Sequence, residues 1–316
     1  MTIHNPIADA LSQKPYLVLD GALATELERR GADLDDPLWS ARVLLDQPEL
    51  IRQVHADYFG AGADVATTAS YQAHAAGFAR RGIPAERVPQ LLALTVQLAR
   101  AAREDYLRTA PASAPRPLVA ASVGPYGAAL ADGSEYVGNY ALTDQELAAF
   151  HRPRMAALLA AGPDLLACET LPSLREALVL AQLLNEFPQS SAWISFSCQD
   201  GSHTCEGQDI AECANALAGF AQVVALGVNC TAPEHVPSLL RRLHANSAKP
   251  LLAYPNSGER YDAVAKCWHA QAANLVPEFA AQACTWHTAG ARLIGGCCRT
   301  TPADIRAIRE QLAACA

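Results

Sequence analysis

No apolar stretch in the sequence approaches the roughly 20 residues that a membrane-spanning helix requires, so no membrane partner is expected. Positive charge is not in excess either. Twenty-four Lys and Arg stand against 32 Asp and Glu, a net charge of −8 spread without long runs. That balance argues against nucleic acid or an anionic lipid surface as a partner. A G-x-G-x-x-G fingerprint is missing after the first apolar run, where the chain reads DGALATE, and no P-loop occurs anywhere. The nucleotide-binding version of a doubly wound sheet therefore loses its main signature. The amino terminus, MTIHNPIADALSQKPY, lacks a basic segment followed by an apolar one, and a cytoplasmic location is expected.

Cysteine, by contrast, is plentiful: there are ten. A disulfide framework belongs to small secreted chains and suits a 316-residue cytoplasmic one poorly. Metal ligation, nucleophilic chemistry and inert burial remain. Inert burial is the expectation for Cys168, Cys213, Cys267, Cys284 and Cys315. Cys198 and Cys205 flank the loop QDGSHTCEG and could form a ligand pair, without an evident third partner.

Short β-rich runs recur along the chain, at 16–21, 64–71, 117–124, 164–170, 192–198, 223–230, 250–258 and 292–298. Each is nearly continuous in apolar residues, as parallel strands buried on both faces are. Amphipathic stretches with apolar residues three and four apart separate them. Eight strand–helix units predict an α/β fold, a single (β/α)₈ TIM barrel spanning residues 1–316 as one domain.

In that fold, functional residues lie at the carboxyl ends of the strands. Those ends read Asp20, Ser70 and Tyr71, Ser122, Glu169, Ser197, Cys230, Asn256, and the adjacent Cys297 and Cys298. Adjacent side chains in an extended strand point to opposite faces, so two neighbouring thiols need a bend to address one site. Gly295 and Gly296 are expected to supply it through their conformational freedom. A vicinal disulfide at 297–298 would be strained and out of place in the cytoplasm. Three thiolates from Cys230, Cys297 and Cys298 suit Zn²⁺ with a fourth position open. Such an electron-rich zinc activates water poorly but holds an incoming thiol as thiolate, which points to alkyl transfer to sulfur. Asp20 and Glu169 could bind an ammonium group, and the amides of Gly21 and Ala22 a carboxylate. Together they describe a thiol-bearing α-amino acid as acceptor. The alternative from another class is a non-catalytic zinc-binding or thiol redox-sensing barrel.

The blocks LDGALATELERRG, TASYQA, SVGPYGA, LACETLP, ALGVNC, YPNSGE and LIGGCCRTTPADI, in this order over residues 15–310, resemble the homocysteine S-methyltransferase family. The likeness is to its bacterial members that use S-methylmethionine or S-adenosylmethionine. It implies zinc on Cys230, Cys297 and Cys298, and homocysteine contacts at Asp20, Gly21, Glu169 and Asn229. It also places Tyr71 near the metal, and suggests that Trp39 and Tyr126 face the sulfonium by cation–π contact. The implied partners are L-homocysteine and a sulfonium donor, with methionine as product. The extension that builds the oligomer of betaine-using relatives does not follow Cys298, so a monomer is expected.

Overall fold

Eight parallel strands close on themselves to surround a core of interdigitated side chains in the computed structural model. It describes residues 3–34, 40–258, 260–262, 267–269 and 276–315. The strands are β1 (Leu17–Val18), β2 (Val65–Thr67), β3 (Leu118–Val123), β4 (Leu165–Leu171), β5 (Ala192–Phe196), β6 (Val223–Asn229) and β7 (Leu251–Tyr254). An antiparallel pair, β8 (Arg260–Asp262) and β9 (Cys267–His269), follows before the eighth barrel strand, β10 (Ala291–Ile294). The hydrogen-bonded order is β1-β10-β7-β6-β5-β4-β3-β2. A parallel bridge between Leu19 and Val65 joins the two ends of that order and closes the ring. The predicted (β/α)₈ barrel is the observed fold. The β8–β9 pair is an addition that the sequence reading did not assign, because three-residue strands are too short to show a period. Cys267 lies on β9.

Period-two alternation sorts each strand's side chains between two cores. Leu17, Leu19, Val65, Ala120, Leu165, Ala167, Trp193, Leu252 and Leu293 form the inner cluster. Val18, Ala66, Val119, Leu166, Cys168, Ile194, Leu226 and Ile294 pack outward against the helices. Ile7, from the short helix Pro6–Leu11, joins the inner cluster as a fully buried plug. Gly227 is dictated by close approach: a Cβ there would lie 1.9 Å from the carbonyl oxygen of Leu252 on β7.

The surrounding helices follow the expected period. In Val88–Thr109 the buried residues include Leu91, Leu92, Thr95, Val96, Ala99 and Ala102, one face of a helix. Asp144–Ala160 begins with a capping box between Thr143 and Glu146, and Ser173 caps the helix Leu174–Leu183. The last two helices, Val276–Thr288 and Pro302–Cys315, are joined by a disulfide between Cys284 and Cys315. This departs from the expectation of inert thiols at both positions, and the reason is tertiary. The two helices flank β10 and pack side by side with their carboxyl-terminal ends together, which brings the two Cα atoms to 6.1 Å, inside disulfide range.

Candidate active site at the barrel mouth

The thiols of Cys230, Cys297 and Cys298 meet at the carboxyl end of the barrel, their sulfurs all within 4.8 Å of one another. Cys230 Sγ lies 3.5 Å from Cys298 Sγ, and Cys297 Sγ lies 4.0 Å from Cys298 Sγ. Zinc–sulfur bonds of about 2.3 Å in a tetrahedron set sulfur–sulfur edges of about 3.8 Å, which these spacings bracket. Among the described residues this is the one group of three or more candidate ligands with such spacing. A soft, three-sulfur donor set of this size fits Zn²⁺.

The bend that makes the cluster is not where the glycines stand. Backbone hydrogen bonds of extended type continue through Gly295 to Ala253, Gly296 to Asp20 and Cys297 to Pro255. Neither glycine has positive φ; Arg299 does, at 69°. The chain turns after Cys297, where Thr300 donates its amide and its hydroxyl to the Cys297 carbonyl at 3.1 and 2.6 Å. Gly295 and Gly296 are required by crowding instead: a Cβ would fall 2.6 Å from Leu19 Cβ and 2.4 Å from Thr300 Oγ1, respectively. Cys230 itself has φ of 50°, an uncommon left-handed conformation for a residue with a side chain.

Charge is shared unequally among the thiols. Hydrogen bonding from Cys297 and Cys298, and then from the Tyr136 hydroxyl at 3.2 Å, pulls the Cys230 thiol well below its usual range. The same contacts with Cys230 push Cys297 and Cys298 up.

Two buried carboxyl groups stand beside the thiols. Asp20 accepts from the amide and hydroxyl of Thr67, at 2.8 and 3.0 Å. Burial nonetheless pushes it up to about 8, with the charge of Glu169 adding to the shift. Glu169 accepts from the Ser122 hydroxyl and, at 3.0 Å, from the Tyr254 hydroxyl. Burial pushes it up to about 7. At Gly21 a Cβ would meet Thr300 Oγ1 at 2.8 Å, and the neighbouring amide of Ala22 already donates to that hydroxyl at 3.3 Å. The Ala22 amide is thus engaged within the protein.

Asn229 belongs to the barrel wall. Its Oδ1 accepts from the Thr170 amide at 2.8 Å and the Ser195 hydroxyl at 2.7 Å, and its Nδ2 donates to Thr170 Oγ1 at 2.7 Å. That clamp holds Thr170 at φ 59° and joins β4 to β6 next to Cys230. Tyr71 lies beside Thr170 and within electrostatic range of Cys230. Its ring rests on Gly124, where a Cβ would come within 2.7 Å of the ring edge. The Tyr126 ring packs edge-on against Tyr140 and Phe150, with centroids 5.3 and 5.1 Å apart. Trp39 lies outside the described residues. Asn256, at the end of β7, donates its amide to the Thr231 carbonyl. Cys198 is buried; it and Cys205 lie close enough for mutual charge repulsion, and both are raised by burial.

Tyr136 and its neighbour Glu135 escaped the sequence reading. They sit in the long connection after β3, in ADGSEYVGNY, away from any strand end and without a motif to flag them. Ser122, Thr67 and Tyr254 were unforeseen as partners of the two acids.

Fold and site together define a (β/α)₈-barrel protein whose mouth carries a three-thiol cluster able to hold a metal ion, flanked by buried carboxyl groups. A model of the homocysteine S-methyltransferase family matches residues 17–312, and the chain belongs to that family. It is 53% identical to homocysteine S-methyltransferase YbgG of Bacillus subtilis, over 96% of each chain. It is 53% identical to homocysteine S-methyltransferase of Escherichia coli, over 98% of this chain and 100% of that one. The metallated form of the Escherichia coli homocysteine methyltransferase MmuM superposes with a TM-score of 0.87 at 50% identity, covering 97% of this chain and 100% of that one. No helix among the described residues is long and apolar enough to cross a membrane.

Proposed function

We infer that this protein transfers a methyl group from a sulfonium donor, S-methylmethionine or S-adenosylmethionine, to the thiol of L-homocysteine, producing methionine. The observation that carries this reading is the convergence of three sulfurs and two buried carboxyls at the carboxyl end of one barrel, in a chain of this family. Cys230, Cys297 and Cys298 would hold Zn²⁺, whose Lewis acidity supplies the means of keeping a fourth, incoming thiol deprotonated at neutral pH.

Glu169 and Asp20 provide the ammonium site. Both are buried acids held at about 7 and about 8 by desolvation, so each gains from an incoming cation that restores its ionised form. Ser122 and Tyr254 fix the Glu169 carboxyl, and Thr67 fixes that of Asp20. The backbone at Gly21 receives the amino acid's carboxylate; with the Ala22 amide engaged by Thr300, the Gly21 amide carries that contact. Asn229 acts from behind, bracing Thr170, which lies beside Tyr71. The homocysteine sulfur attacks the sulfonium methyl carbon in line, forming a new carbon–sulfur bond. The old bond breaks with its electron pair moving to the departing neutral thioether. No strong acid is needed to assist such a leaving group, so alignment of the two substrates supplies most of the acceleration. The chain works as one 316-residue barrel domain, as a monomer in the cytoplasm.

The test combines a transfer assay, using homocysteine with S-methylmethionine and separately with S-adenosylmethionine, with metal analysis of the purified protein. Methionine formation that tracks bound zinc is the expected result. Stoichiometric zinc without turnover on either donor would favour a metal-storing barrel instead.

A further inference from the structure

The connection between β3 and the helix Asp144–Ala160 folds over the thiol cluster and is fastened there by three separate contacts. Ser197, after β5, donates its hydroxyl to the Glu135 carbonyl at 3.2 Å. The Glu206 carboxylate accepts from the Asn139 amide. Gly127 lets the segment lie so close that a Cβ there would come within 2.5 Å of the Glu135 amide nitrogen. So secured, the turn Ser134–Tyr136 sets the Tyr136 hydroxyl 3.2 Å from Cys230 Sγ.

Glu135 belongs to the same turn. Its carboxyl is in electrostatic range of Cys230 and of Tyr71, which places it on the thiol side of the turn. Its Oε2 is buried and has no hydrogen-bond partner among the described residues. No basic side chain among those residues forms an ion pair with it, unlike the surface acids Glu186 and Asp144, which pair with Arg152 and Arg175. A buried, unpaired carboxylate is costly, and such a group in a native site calls for a cationic partner from outside the chain. Asp20 and Glu169, by contrast, have hydroxyl and amide donors of their own. The acids therefore differ: Asp20 and Glu169 are furnished with donors from neighbouring residues, whereas Glu135 keeps one buried oxygen unpartnered.

We propose that Glu135 is the donor-side carboxylate, the group that faces the positive charge of the methyl donor. This rests on the reading of the site as a sulfonium-dependent methyltransferase. A kinetic consequence follows from the charge balance of the reaction. The sulfonium loses its positive charge as the carbon–sulfur bond breaks, so an adjacent carboxylate stabilises the bound donor more than the transition state. Glu135 thus governs donor affinity and selects cationic over neutral methyl donors, and it contributes little to the rate at saturation.

The test compares wild type with Glu135→Gln, which keeps shape and removes charge, and with Glu135→Asp, which keeps charge. With S-methylmethionine as the varied substrate, Glu135→Gln should raise its KM by about 10- to 100-fold, the range for losing a charge-assisted contact. The kcat should be unchanged or higher, while homocysteine KM and bound zinc stay at wild-type values. Titration calorimetry of S-methylmethionine should show the same loss of affinity, and Glu135→Asp should recover part of it. Methylation of enzyme-bound homocysteine by methyl iodide, a neutral donor, should proceed equally in wild type and Glu135→Gln. Unchanged donor KM, an equal loss with methyl iodide, or loss of zinc would each overturn the assignment. Absence of transfer from any sulfonium by the wild-type protein would instead overturn the reading on which it rests.

Discussion

The two ends of the barrel are built from the same eight strands and obey opposite rules. At the amino end, Leu17, Val65, Leu165, Trp193 and Leu293 fill the interior, and Ile7 plugs it. At the carboxyl end, the same inward-facing rows finish in Glu169, Ser195, Asn229 and Cys297, with Cys230 and Cys298 next to them. The first end is apolar and satisfied by packing. In the second, Glu169, Ser195 and Asn229 are buried too, but they depend on partners from other strands, as Asn229 depends on Thr170 and Glu169 on Tyr254. Backbone strain follows the same division. Thr170, Cys230 and Arg299 take positive φ, all three at the mouth. One end holds the fold, and the other uses that rigidity to keep costly groups together.

The sharpest way to break this comparison is Cys230→Ser. Bound zinc and methyl transfer should be lost together, with circular dichroism unchanged; full transfer without metal would remove the proposed mechanism. At the opposite end, Leu165→Ala should lower unfolding free energy by about 2–5 kcal/mol, yet leave the substrate KM values of the folded protein unaltered. Denaturant titration alongside steady-state kinetics distinguishes the two. Glu169→Ala should raise homocysteine KM by about 10- to 100-fold while zinc content stays full. If the metal were stripped instead, the acid would belong to the metal site and not to the ammonium site.

A subtler difference is the response to pH. Asp20 and Glu169 have folded values of about 8 and about 7, raised from ordinary carboxyl values near 4. The folded state therefore binds more protons than the unfolded chain between those limits, and stability without substrate should fall as pH rises through them. Homocysteine binding needs the ionised carboxyls, so its KM should fall over the same upper range, from about pH 6 to about pH 8. Glu169→Gln should flatten that dependence in a pH-resolved kinetic series. The smallest effect is expected from Cys168→Ala. Cys168 adjoins Glu169 on β4 but points outward among the helices, where burial pushes its thiol up to about 12. The substitution should cost roughly 1 kcal/mol and leave transfer and metal content untouched.

How much of this was readable beforehand differs from residue to residue. Cys230, Asp20 and Glu169 end apolar runs, so strand periodicity alone put them on the rim. The role of Gly295 and Gly296 was misassigned: their neighbours in the sequence suggest a bend, whereas the crowding comes from Leu19 and Thr300. Cys284 and Cys315 looked inert until helix packing brought them within bonding distance. Glu135 and Tyr136 had no signal at all, because an irregular connection shows no period from which to infer a direction.

What the sequence determined by itself is local: where strands begin and end, which side chains alternate inward, and which residue types terminate each strand. Those follow from backbone geometry and hydrophobic periodicity, which operate over a few residues. Which thiols converge, which carboxyl oxygen is buried without a partner and which loop covers the mouth were decided only by tertiary structure. The bridge from Leu19 to Val65 closes the ring, and only a closed ring brings the ends of β6 and β10 and the connection after β3 to one point.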